Sequence, residues 1–140
     1  MGKINIGRLI FGGIVAGIVA DVLDYLVDGL WLQQSWQDAM LNLDKSSFGT
    51  TQIVEFNLLG ILGGIIAIWI YAGIRPRFGA GWKTAIYAGL AVWVIGILIP
   101  NVSFMYVADL FPKHLTLYTT FGGLLEVVVG TVAGAALYKE

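Results

Sequence analysis

Apolar residues along this chain run in four long stretches, and shorter polar segments separate them. A helix needs about 20 largely apolar residues to cross the roughly 30 Å hydrocarbon core of a bilayer. Each stretch meets that length, so the pattern predicts membrane-spanning helices over residues 8–30, 51–74, 81–107 and 114–138. The predicted fold class is all-α, with one integral-membrane four-helix bundle formed by residues 1–140.

The first apolar stretch follows Lys3 and Arg8, and in this respect it resembles a secretory signal peptide. Its apolar run is longer than the h-region of such a peptide, and Asp21 follows it directly. We therefore interpret this stretch as a retained first span.

The connection between the first two spans is the longest, and it places Trp31, Trp36 and Met40 among polar residues. Tryptophan prefers the interface between membrane and water. We therefore expect a short amphipathic helix on the membrane surface over residues 32–43, with an irregular loop as the alternative.

The composition agrees with a membrane protein. Apolar residues make up 58% of the chain and charged residues 12%, whereas charged residues are about 25% of a soluble domain. The lipid bilayer is thus the expected surroundings, and the net charge of −1 gives no indication of nucleic-acid binding. The chain has no cysteine, which excludes disulfides and thiolate metal sites.

The basic residues predict the orientation. An even number of spans places both termini on one side, and six of the eight Lys and Arg residues fall on that side. Because cytoplasmic loops carry an excess of Lys and Arg, both termini are expected in the cytoplasm.

Glycines recur at a spacing that is typical of closely packed membrane helices. Three spans carry the GxxxG pattern, at Gly13 and Gly17, Gly60 and Gly64, and Gly130 and Gly134. We expect tight packing along these rows, either within one chain or between copies.

Acidic residues continue two of these rows. Asp21, Asp24 and Asp28 of the first span are three and four residues apart, so they fall within an arc of about 60°. Glu126 follows the small residues of the fourth span near the middle of the bilayer. Close packing of the Gly13–Gly17 face on the Gly123–Gly130 face would join the first and fourth spans, so we expect Asp21 and Asp24 to meet Glu126. We predict no buried base to pair with these acids, so they are either protonated or face water or a cation.

The expected site is a polar cavity in the outer half of the bundle, binding a proton, a cation or a small polar ligand. Its predicted lining residues are Asp21, Asp24, Glu55, Asn57, Asn101 and Glu126. Asp28 is interpreted as an ordinary helix-end residue at the interface. The alternative for Asp21 and Glu126 is that each is a neutral acid in a structural hydrogen bond.

Sequence motifs of enzymes such as HExxH, GxSxG and the P-loop do not occur, so we expect no catalytic activity. The second hypothesis is an accessory subunit of an energy-transducing membrane complex. In that case His114 and nearby aromatic residues would contact a quinone, a pigment or a lipid. Pro100 predicts a kink in the third span.

The chain resembles a broad group of uncharacterised four-span bacterial inner-membrane proteins in two long segments. These segments are "GGIVAGIVADVLDYLVDGLWLQQSWQDAM" and "DLFPKHLTLYTTFGGLLEVVVGTVAGAALYKE". In that group a Gly-rich first span leads to a Trp-containing segment ending in Ala-Met, and the last span carries Gly-x-x-Glu. The corresponding residues here are Trp31, Trp36, Ala39, Met40, Gly123 and Glu126. The resemblance implies a topology and a location in a bacterial inner membrane, and it implies no activity. We expect a homo-oligomer or a small subunit beside other membrane proteins.

Overall fold

The computed structural model describes residues 3–139, and over that range it contains helices and no strand. Four helices are long and apolar enough to cross a membrane: Ile6–Trp31, Thr50–Phe78, Trp82–Val107 and Lys113–Leu137. In this order they are called the first to the fourth span. The predicted all-α architecture with four spans is confirmed, and it is compatible with a multi-pass membrane protein.

Two of the spans change from α-helix to π-helix along their length. The α-helical parts are Ile6–Asp24 and Trp82–Trp93, and the π-helical parts are Tyr25–Trp31, Val94–Leu98 and Asn101–Val107. Pro100 lies between the last two, where its missing N–H cannot continue the regular α-helical ladder. The third span remains helical through this residue.

The short helix predicted after the first span is confirmed at Gln33–Asn42. Leu32 and Ala39 pack with Met105 and Leu115 of the third and fourth spans in a small apolar core. The end of the bundle that carries this helix is called the capped end, and the opposite end is called the termini end.

The first span lies against both the second and the fourth. The α-helical part of the third span packs on the second and fourth spans, whereas its π-helical parts pack on the fourth. The main apolar core lies toward the termini end, around Ile68, Tyr71 and Ala85. The second and third spans therefore meet there and not at the capped end.

The seam between the first and second spans depends on glycine. A Cβ atom added to Gly13 would lie 2.5 Å from Ile65 Cα, and one added to Gly64 would lie 2.8 Å from Gly17 Cα. Backbones can approach so closely only where side chains are absent. This contact brings the first span directly onto the middle of the second.

The seam between the first and fourth spans uses a different row of small residues. A Cβ on Gly12 would lie 2.7 Å from the Gly134 carbonyl oxygen, and one on Gly130 would lie 2.5 Å from that of Ala16. The prediction that the Gly13 face joins the fourth span is therefore wrong. Because each helical residue turns by about 100°, adjacent residues such as Gly12 and Gly13 face different partners.

Candidate functional site

A cavity of about 1180 Å³ lies in the bundle toward the capped end, and all four spans and the short helix contribute to its wall. Trp36 and Met40 of the short helix and Phe48 of the following loop lie on one side of it. The ring centroids of Trp36 and Phe48 are 6.1 Å apart, and those of Phe48 and Phe56 of the second span are 5.4 Å apart. An aromatic row thus connects the short helix with the second span.

Three carboxylates converge on this cavity. One oxygen each from Asp24, Asp28 and Glu126 lies within 4.8 Å of the other two. Asp24 and Asp28 are neighbours on one face of the first span because they are four residues apart. The close packing of the first and fourth spans brings Glu126 to them, while no Lys or Arg among residues 3–139 lines the cavity.

Glu126 is the most enclosed member of this carboxylate cluster. Its exposed fraction is 5%, and its Oε1 atom has no hydrogen-bond partner within the described chain. Gly122 is one turn away, and a Cβ there would lie 3.3 Å from that Oε1 atom. A buried polar atom without a partner is costly, so it requires an explanation such as a water or an ion.

Asp28 belongs to the cluster, although the sequence suggested an ordinary helix-end residue. Its Oδ1 accepts a hydrogen bond from Trp36 Nε1 at 2.7 Å. Trp36 itself is held by an edge-on contact with Phe111, with ring centroids 5.5 Å apart. The four-residue spacing between Asp24 and Asp28 could have indicated that the two acids lie together. The contact with Trp36 could not be predicted, because it depends on where the short helix lies.

Asp21 lines the same cavity but lies outside the cluster of three. Its carboxylate covers Gly60 of the second span, where an added Cβ would overlap Asp21 Oδ1. Asp21 continues the Gly13–Gly17 row, and that row faces the second span. The expected meeting of Asp21 with Glu126 is therefore replaced by a meeting of Asp24 and Asp28 with Glu126.

The two predicted asparagines both line the cavity. Asn57 Nδ2 donates to the Ile53 carbonyl of its own helix at 2.7 Å, and Asn101 Nδ2 donates to Thr120 Oγ1 at 2.9 Å. Each amide nitrogen thus has a protein partner. Beyond these bonds, each amide retains its oxygen and a second N–H.

Glu55 and His114 were also predicted as site residues, and the structure places neither in the cavity lining. Both side chains are exposed. Glu55 precedes Asn57 by two residues, and this places it about 200° away around the helix. His114 lies in the first turn of the fourth span at the capped end.

The oxygen cluster suits a hard cation in its dimensions. Two oxygens bound to one Ca²⁺ are at most about 4.6–5.2 Å apart, against about 4.0–4.2 Å for Mg²⁺, given their usual bond lengths. All three oxygens of the cluster lie within 4.8 Å of one another, so they fall within the span that one Ca²⁺ ion can bridge.

No protein-family model, curated protein or solved structure matches this chain. The resemblance to a four-span bacterial group stays a prediction. The arrangement of the cavity is accordingly the basis for a proposed function.

Proposed function

We propose that this chain is a non-enzymatic multi-pass membrane protein whose cavity binds a cation through Asp24, Asp28 and Glu126. The observation that supports this most is the carboxylate of Glu126, which is 5% exposed and has one oxygen without a partner. A cation held by the three carboxylates would satisfy that oxygen and offset the repulsion among them.

The competing account is a structural cluster of neutral acids. In such a cluster the polar atoms would satisfy one another by hydrogen bonds, and Glu126 Oε1 lacks any such bond within the described chain. The indole N–H of Trp36 also donates to Asp28 Oδ1 at 2.7 Å and fixes this carboxylate beside the other two. A cation site therefore explains more of the geometry.

The proposed setting is a bacterial inner membrane with both termini in the cytoplasm, so that the capped end and the cavity face outward. The uneven distribution of Lys and Arg supports this orientation. A homo-oligomer or a small subunit beside other membrane proteins remains the proposed mode of assembly. Measuring the native mass of the protein in mild detergent tests this mode of assembly.

The second hypothesis, an accessory subunit that contacts a quinone, pigment or lipid through His114, has less support. His114 is exposed and is not among the residues that line the cavity.

Calorimetric titration of Ca²⁺ into the protein in lipid nanodiscs tests the proposal. We expect wild type to bind Ca²⁺ more tightly than Mg²⁺, and Glu126→Gln and Asp24→Asn each to weaken Ca²⁺ binding at least about tenfold. Glu55→Gln is the matched control, because it removes an acid from the same half of the molecule but outside the cavity. An equal effect of all three substitutions, or no Ca²⁺ binding by wild type, would contradict the proposal.

A further inference from the structure

The cavity is much larger than a single inorganic ion requires. Its volume is about 1180 Å³, whereas pockets for drug-sized organic ligands are roughly 300–1,000 Å³. The carboxylate cluster occupies only part of its wall. The remaining space has to be judged by the other side chains around it.

Most of those side chains are apolar. On the second span Ile53, Phe56 and Leu59 line the cavity, and Ile97 of the third span lines it as well. The cavity therefore combines an acidic region, formed by the three clustered carboxylates and Asp21, with an extended apolar region. That combination is complementary to an amphiphile with a positive head.

The apolar region is open at the side of the bundle. Every residue from 50 to 59 is exposed along the second span, and exposed Ile53, Phe56 and Leu59 also line the cavity. The π-helical parts of the third span pack on the fourth span, which leaves this flank of the second span uncovered within the described chain. In a membrane the opening would face the acyl chains.

The head group can be specified further. Glu126 Oε1 needs a hydrogen-bond donor, and a protonated amine supplies up to three, while a quaternary ammonium supplies none. A primary alkylamine is protonated at neutral pH, as a lysine side chain is. An N–H donor is thus the better match to this cluster.

We propose that the cavity takes a lipophilic primary amine, with its ammonium at Asp24, Asp28 and Glu126 and its apolar chain along Phe56 and Leu59. The amine enters sideways from the membrane. This inference rests on the proposed cation site and narrows its ligand to an organic cation with an apolar tail.

The test is calorimetric binding of n-decylamine to the protein in nanodiscs of zwitterionic lipid, with partitioning into empty nanodiscs subtracted. Methylammonium has the head without the tail, and n-decanol has the tail without the charge. We expect decylamine to bind at least about tenfold more tightly than either, and Ca²⁺ to compete with it. Methylammonium binding as tightly as decylamine would overturn the inference.

Two glycines of the second span provide a matched pair of variants. A Cβ at Gly63, which lines the cavity, or at Gly73, which does not, would meet no atom within 4 Å. Gly63→Leu should fill cavity space and weaken decylamine binding about tenfold, while Ca²⁺ binding stays and Gly73→Leu changes neither. Equal decylamine affinity in the two variants would overturn the inference.

The head-group contact is tested with Glu126→Gln and, should that variant fail to fold, with Asp24→Asn on an exposed residue. Either should weaken decylamine binding at least about tenfold, since a charge-assisted hydrogen bond is lost. Unchanged binding would overturn the inference. If wild type binds Ca²⁺ but not decylamine, the inference alone fails, whereas a lack of Ca²⁺ binding contradicts the proposed function itself, with or without decylamine binding.

Discussion

Trp36 donates its indole N–H to the carboxylate of Asp28 at 2.7 Å, and this bond joins the short helix to the first span. It also places an aromatic ring directly beside the carboxylate cluster. The closure of the capped end and the arrangement of the acids are therefore coupled through one pair of side chains.

Trp36→Phe should lower the free energy of unfolding by about 1.5–3 kcal/mol, because it removes a hydrogen bond to a charged group but retains a ring. The measurement is unfolding by SDS in mixed micelles. Trp31→Phe is the control, since Trp31 is exposed and its contact with Tyr118 needs only a ring. A loss of equal size in both variants would mean that the hydrogen bond contributes nothing specific.

Gly64→Ala should destabilise the bundle by about 1–3 kcal/mol, the usual cost of overpacking. Its Cβ would meet the backbone of the first span at Gly17, which cannot yield as a flexible side chain would. Gly73→Ala lies on the same helix in open space, so it should be neutral or slightly stabilising. The same unfolding assay compares them, and similar stabilities would show that the first two spans are not in close contact.

Ca²⁺ binding should weaken as the pH falls. Each carboxylate must be deprotonated to bind the metal, so protons compete with Ca²⁺ and binding releases them. If one proton is displaced, the apparent affinity changes by up to about tenfold per pH unit below the titration of the cluster. Calorimetry at several pH values measures this slope, and a flat profile in wild type would argue against carboxylate ligands.

The positions of the spans could be predicted because bilayer thickness sets the length of the apolar runs, and the short helix followed from its polar residues and tryptophans. Which neighbouring helix each face of a span contacts could not be predicted. Gly12 and Gly13 begin two adjacent rows of small residues, and nothing in either row tells which helix it will contact.

The same ambiguity affected the acids. Asp21 was correctly placed on the Gly13–Gly17 row, but that row faces the second span, so Asp21 lies over Gly60 and away from Glu126. Asp28 was missed because its role depends on Trp36, which lies on the next helix, beyond Leu32. Such contacts are set by tertiary structure and not by spacing.

The orientation can be tested by cysteine labelling, since the native chain contains no cysteine. Ser47→Cys lies near the capped end and Lys139→Cys at the termini end, and both residues are exposed. In intact cells a membrane-impermeant maleimide should label Cys at position 47 and leave position 139 unlabelled until the cells are opened. The reverse pattern would contradict a cytoplasmic location of the termini.

The most direct test of the cation site is terbium luminescence excited through tryptophan. Tb³⁺ prefers the same oxygen ligands as Ca²⁺, and Trp36 lies in hydrogen-bond contact with one of the three carboxylates. We expect Tb³⁺ to show sensitised emission that Ca²⁺ displaces, that Trp36→Phe largely removes and that Glu126→Gln weakens. Emission that persists unchanged in Trp36→Phe and Glu126→Gln, or none in wild type, would contradict a cation site at Asp24, Asp28 and Glu126.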